Sequence, residues 1–262
     1  MFGRIAARAV AILIVCWPFI IGDPSTALAQ YQVDVSSLAP LDPSSQAPAV
    51  VEPFGLPVEP VTYGHVLSKW SGLVAEIGAE SDILARCRYD AAPCPPAAQK
   101  FLAVIAAGRA LDGRARIGTI NRAINMAIRP MSDVAQWGVP DRWSAPLATL
   151  ASGRGDCEDY AIAKYVALRK AGLAEDDVRL VIVRELASGE DHAVVAARVD
   201  EKWIVLDNRR LTLIADTEMP RVRPLFVFDR DGVKRFTPPT AEARHPPAPS
   251  ESAATEPSAL GL

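Results

Sequence analysis

The hydrophobic period of this chain changes once, near Gly172. Before that point, apolar residues recur every three or four positions. Val66, Trp70, Leu73 and Ile77 predict a helix over 65–77. Phe101, Val104 and Ile105 predict another over 97–111. Ile117, Ile120, Ile124 and Ile128 predict a third over 115–128, stopped by Pro130. A short helix over 146–151 leads into a glycine turn, and a further helix over 157–171 ends at Gly172. Beyond Gly172 the apolar runs are short and β-branched: 178–185, 193–199, 203–206, 224–228 and 233–236. Asp200-Glu201-Lys202 and Asp229-Arg230-Asp231-Gly232 join neighbouring runs as tight hairpins. Helices first and antiparallel strands afterwards predict an α+β fold, with no internal repeat.

The ends of the chain have a different composition. Arg4 and Arg8 precede an apolar run over 9–21, broken only by Pro18, and Ala27-Leu28-Ala29 fits a small-x-small cleavage site. Residues 1–29 therefore read as a cleavable signal peptide, since the run is short for a span of roughly 20 residues. Residues 30–59 are rich in Pro, Ser, Ala and Val and read as a linker. Residues 237–262 have the composition of a disordered tail, which leaves 60–236 as the folded domain. Export through a signal peptide predicts a periplasmic protein. A net charge of −3 with no basic run gives nucleic acid no footing.

Compartment matters for the cysteines. Cys16 leaves with the signal, and Cys87, Cys94 and Cys157 remain. Cys87 and Cys94 lie close together in a polar, Pro-rich stretch. A local disulfide is the natural reading and two reduced thiols the alternative; the absence of a nearby histidine argues against zinc. Cys157 is then the free thiol, in Gly153-Arg154-Gly155-Asp156-Cys157-Glu158-Asp159-Tyr160-Ala161.

This cysteine opens a helix. Asp156 is suited to the N-cap and Asp159 to a capping box, while Lys164, Arg169 and Lys170 lie towards the negative end. Unpaired N–H groups and the positive dipole end favour a thiolate there. Of the three histidines, His245 falls in the tail, and His65 is far from other chemistry in sequence. His192 stands at the mouth of a strand. Asp207 ends the next strand, and pairing the two across the 200–202 hairpin brings His192 and Asp207 to one edge. A nucleophile, a base and a residue that fixes the base's tautomer are what covalent acyl transfer needs. Trp137 and Trp143 line the groove, or are core or lid residues, the core being the plainer expectation.

These three stretches (153–161, Glu190-Asp191-His192-Ala193-Val194 and Trp203-Ile204-Val205-Leu206-Asp207-Asn208) resemble the bacterial transglutaminase-like cysteine proteinases, over roughly 115–210. Ile120-Asn121-Arg122-Ala123-Ile124-Asn125 and the 137–143 segment are similar as well. The resemblance implies a papain/transglutaminase-like core and a periplasmic endopeptidase. Cys157 would be its nucleophile, His192 its general base and acid, and Asp207 the orienting residue, acting through an acyl-thioester. It also implies calcium held by Asp156 and Glu158, a surface adhesin involved in biofilms as substrate, and an inner-membrane regulatory protein as partner. Two adjacent carboxylates are an incomplete calcium site, and the plain alternative is a helix cap with dipole-complementing acids. A transglutaminase or amidase acting on Gln side chains or cell-wall peptides uses the same residues, and a non-catalytic binding module needs none of them.

Overall fold

The computed structural model describes residues 51–89 and 93–238. The signal segment, most of the linker and the tail beyond Pro238 lie outside the described residues. The helices come first: α1 (His65–Tyr89), α2 (Pro96–Arg109), α3 (Gly113–Ala127), α4 (Asp133–Trp137), α5 (Pro146–Ser152) and α6 (Cys157–Lys170). α1 runs well past Ile77. Beyond that point the sequence turns polar, yet Leu84 is buried and Glu80 accepts from the N–H groups of Leu147 (2.7 Å) and Ala148 (3.0 Å). The N-cap Ala145 has no side chain to cap α5, so Glu80 supplies the missing acceptor. Cys87, near the end of α1, is disulfide-bonded to Cys94, just ahead of α2. Among the described residues Cys157 is the free cysteine.

One sheet holds β1 (Val58–Pro60), β4 (Val178–Glu185), β5 (Asp191–Val199), β6 (Lys202–Leu206), β7 (Ile214–Ala215), β8 (Val222–Asp229) and β9 (Gly232–Phe236). Their spatial order is β1-β9-β8-β4-β5-β6-β7, antiparallel throughout. A separate parallel pair joins β2 (Arg129–Pro130) to β3 (Arg154–Gly155). The β5–β6 hairpin turns on Asp200 (φ 51°) and Glu201 (φ 61°), the left-handed pair that a two-residue connection requires.

α6 packs on β4 and β5, with α2, α3 and α5 behind it. Every residue from Asp159 to Leu168 is buried, so α6 is an internal helix rather than an amphipathic one. Lys164, one of the charges towards the helix's negative end, is itself buried.

The opposite face of the sheet carries a second core of Val181, Val183, Val194, Ala196, Trp203 and Val205. Phe54, Leu56 and Val58 pack against it. Residues 51–59, expected as linker, are thus part of the folded unit. Glu52 accepts from Arg179 Nε at 2.7 Å, and Trp203 Nε1 donates to the Val51 carbonyl at 2.8 Å. Their Pro-rich composition hid this, because single apolar anchors carry no period.

Candidate active site

Three short connections set the place of Cys157. Gly153 (φ 65°) ends α5 in the left-handed conformation. β2 and β3 then pair, with Arg129 N–H donating to the Gly153 carbonyl (2.9 Å) and Met131 N–H to that of Gly155 (3.0 Å). Gly155 cannot be replaced freely: a Cβ there would lie 2.5 Å from Asp159 Oδ2. Asp156 follows at the N-cap and Cys157 is the first helical residue.

His192 is the second residue of β5, and Asp207 comes directly after β6. Val195 pairs with Leu206, so Asp207 is one step beyond the last paired residue of β6, beside the start of β5. The His192 Nε2 to Asp207 Oδ1 distance is 3.0 Å, and both side chains are buried. Asp207 Oδ1 also accepts from Arg209 N–H (2.9 Å), Arg210 Nε lies 3.4 Å from Oδ2, and Asn125 Nδ2 donates to the Asp207 carbonyl (3.0 Å). Burial alone would raise the Asp207 carboxyl. The hydrogen bonds from His192 and Arg209, with the charges of His192 and Lys164, outweigh it and hold the group below its usual value.

The other ring nitrogen, His192 Nδ1, is buried without a hydrogen-bond partner among the described residues. A proton on Nε2 directed at Asp207 leaves the Nδ1 lone pair free. His192 and Cys157 line one cleft of about 390 Å³ together with Ala193, Trp143, Lys69 and His65. His65, set aside on sequence distance, is thus at the rim: α1 begins there. Trp143 is half-buried against Phe228, with Lys69 Nζ over its ring at 4.8 Å. Trp137 belongs to neither core nor cleft; it is exposed and stacked under Arg142.

The thiol itself departs from the helix-start expectation. Burial pushes Cys157 up, and so do the charge and hydrogen bond of Glu158, whose Oε2 lies 3.0 Å from Sγ; the Ala193 N–H directed at Sγ opposes them. The helix dipole favours a thiolate there, but the carboxylate one residue on works against it.

That carboxylate is one of five. Asp133, Asp141 and Glu158 place oxygens within 4.8 Å of one another, and so do Asp133, Asp156 and Asp159. Asp156 does not cap α6 with its side chain. Its Oδ1, Asp133 Oδ1 and Asp159 Oδ2 are buried with no partner among the described residues. Asp159 does not close a capping box; it accepts from Ser144 N–H at 3.0 Å. Burial, then neighbouring negative charge, raises Asp156, and burial raises Glu158. Asp159 is pushed up to about 7, chiefly by burial and despite the Ser144 bond. Orphaned hard oxygens on crowded carboxylates are a donor set for a divalent cation such as Ca²⁺. Asp133 and Asp141 went unrecognised in the sequence, since only the β2–β3 pairing and the loop after α4 bring them to Asp156 and Glu158.

A family model for bacterial transglutaminase-like cysteine proteinases (BTLCP) matches residues 84–220, more than half of the chain. That span includes Cys157, His192, Asp207 and all five carboxylates. No curated protein matches. Among solved structures, Legionella pneumophila LapG is similar over 59% of this chain and 86% of that one, at 19% identity and a TM-score of 0.49. Its EGTA-treated form gives 59%, 84%, 19% and 0.49, and its calcium-bound form 68%, 93%, 18% and 0.48.

Proposed function

The chain belongs to the bacterial transglutaminase-like cysteine proteinases and is a cysteine peptidase, and from that premise we propose that Cys157, His192 and Asp207 form its catalytic triad. The observation that carries this reading is the buried His192–Asp207 pair at 3.0 Å, with Nδ1 left free on a residue that shares a cleft with Cys157. His192 Nδ1 takes the thiol proton, and the thiolate attacks a peptide carbonyl. The resulting oxyanion is held by N–H groups at the start of α6. The proton passes from His192 to the departing amine, leaving an acyl-thioester. His192 then takes a proton from water, which attacks the thioester; the acid product leaves and the thiol is restored. Asp207 holds the ring and stabilises the imidazolium throughout.

The five carboxylates fit calcium. Asp133 and Asp156, with their unpartnered oxygens, Glu158, Asp141 and Asp159 are the residues that would hold it. Bound there, Ca²⁺ would supply the positive charge that this cluster lacks and lessen the penalty that Glu158 places on a thiolate at Cys157.

The signal read in residues 1–29 supports a periplasmic location. There the substrate would be another exported or surface protein; the family resemblance suggests an adhesin, and an inner-membrane protein as regulator. No helix among the described residues is long and apolar enough to cross a membrane.

The test uses mature protein and its Cys157→Ala and His192→Ala variants, with iodoacetamide as thiol probe, in calcium or in EGTA. Wild type should be alkylated at Cys157 faster in calcium, Cys157→Ala should stay unlabelled, and His192→Ala should lose the pH dependence. Equal rates in calcium and EGTA would remove the calcium reading. A His192→Ala profile matching wild type would remove the triad. Incubation with surface proteins and a labelled amine separates hydrolysis from transamidation.

A further inference from the structure

Lys69 stands where two parts of the site meet. It lies in the second turn of α1 and lines the cleft that holds Cys157 and His192. Its ammonium reaches the loop after α4. There Nζ donates to the Asp141 carbonyl at 3.2 Å and forms an ion pair with the Asp141 carboxylate. The same Nζ lies over the Trp143 ring at 4.8 Å, and that ring packs edge-on against Phe228. One amine thus ties the α1 wall of the cleft to the wall formed by Pro140, Asp141 and Trp143. The Lys69 side chain is only 14% exposed, so solvent screens this pair less than an open surface pair.

Asp141 has other neighbours to serve. A carboxylate oxygen of Asp141 lies within 4.8 Å of oxygens of Asp133 and Glu158. Among the described residues, no lysine or arginine other than Lys69 makes an ion pair with any of the five clustered carboxylates. Lys69 spends its contacts on Asp141 at the rim. It leaves the buried Asp133 Oδ1 and Asp159 Oδ2 without a partner. The cluster therefore holds one cation at its edge and has the donor set for another deeper in. Two cations sharing one carboxylate at a few ångströms repel each other strongly. A divalent ion drawn by all five acids outbids a single ammonium for Asp141.

We propose that Lys69 is a built-in counter-ion of the acid cluster: it holds Asp141 in calcium-free solution, Ca²⁺ displaces it, and metal binding thereby unties the two cleft walls that Lys69 joins. The exchange is one of partners, not of protons. In calcium-free solution the ammonium offsets part of the repulsion among the acids. In calcium the metal takes over that charge, and the amine is released into the cleft that it lines. The same device sets the affinity of the site, since every calcium ion bound must first displace a cation. The inference rests on the calcium reading.

The test is the calcium affinity of the mature protein and its Lys69→Met variant, measured by competition with a chromophoric chelator. The variant should bind calcium about tenfold more tightly, because no cation has to leave. A folded Lys69→Met protein that binds calcium as wild type does, or more weakly, would overturn the proposal. Weaker binding is what a lysine that merely shapes the loop would give. A second measurement needs no variant. Wild-type protein is acetylated with an N-hydroxysuccinimide ester in EGTA and in saturating calcium, and Lys69 is followed by mass spectrometry. The released amine should react several-fold faster in calcium; an unmoved Lys69 rate would overturn the proposal too. Failure of the calcium reading looks different: neither protein would then compete with the chelator at all, and the proposal would fall with that reading.

Discussion

At the scale of single residues, Cys157 is in an unfavourable setting for a thiolate. The Cys157 thiol donates to Glu158 rather than to an imidazole. Replacing Glu158 with Gln removes the negative charge and keeps the side chain's shape. In EGTA, alkylation of Glu158→Gln should be about tenfold faster than that of wild type, and its response to calcium should shrink. An unchanged rate in EGTA would show that Glu158 does not restrain the thiol. The meeting of His192 with Asp207 was legible in the sequence because a two-residue hairpin fixes register: once Asp200 and Glu201 turn the chain, the two residues come to one edge. The acid cluster was legible only at Asp156 and Glu158. Asp133 and Asp141 sit well upstream, and nothing local announces that β2 and β3 pair in parallel. The burial of Lys164 was not legible, for a related reason. A lysine in the second half of a helix suits the dipole, and only the packing of α2, α3 and the sheet around α6 shows that it has no water.

Among the elements, those with a sustained period were readable and those without one were not. α2, α3, α5, α6 and the hairpin strands match their apolar patterns, while the two- and three-residue strands β1, β2, β3 and β7 have too few residues to show any. The most consequential omission is the segment ahead of β1. Glu52 pairs with Arg179 (2.7 Å), Arg179 lies 3.7 Å from Asp229, and Lys234 bridges Asp229 (2.7 Å) and Glu52 (3.3 Å). Glu52→Ala leaves a buried guanidinium short of a partner and should cost about 3 kcal/mol in denaturant unfolding. Cys157 alkylation should hold its wild-type rate, because this network lies away from the cleft. A loss within experimental error of zero would mean that Asp229 alone satisfies Arg179.

For the molecule as a whole, the acids near the thiol set how stability responds to pH. Asp159 is raised to about 7, and Asp156 and Glu158 are raised as well. Each binds a proton in the folded state that the unfolded chain releases near pH 4. Their contribution is full below that value and is lost as pH climbs through the folded-state range. Asp207, being lowered, acts in the opposite sense, but only in more acidic solution. In EGTA the melting temperature should therefore fall between about pH 5 and about pH 8, and calcium should restore more of it at the upper end. A melting temperature that is flat or rising in EGTA across that window would contradict this. The burial of α6 on every side carries a last consequence. Its amides should exchange with deuterium only when the whole domain opens, so the element bearing Cys157 is the one least able to yield. Accommodation of an incoming chain then falls to the cleft's borders: the loop carrying Pro140, Asp141 and Trp143, and the start of α1 at His65 and Lys69.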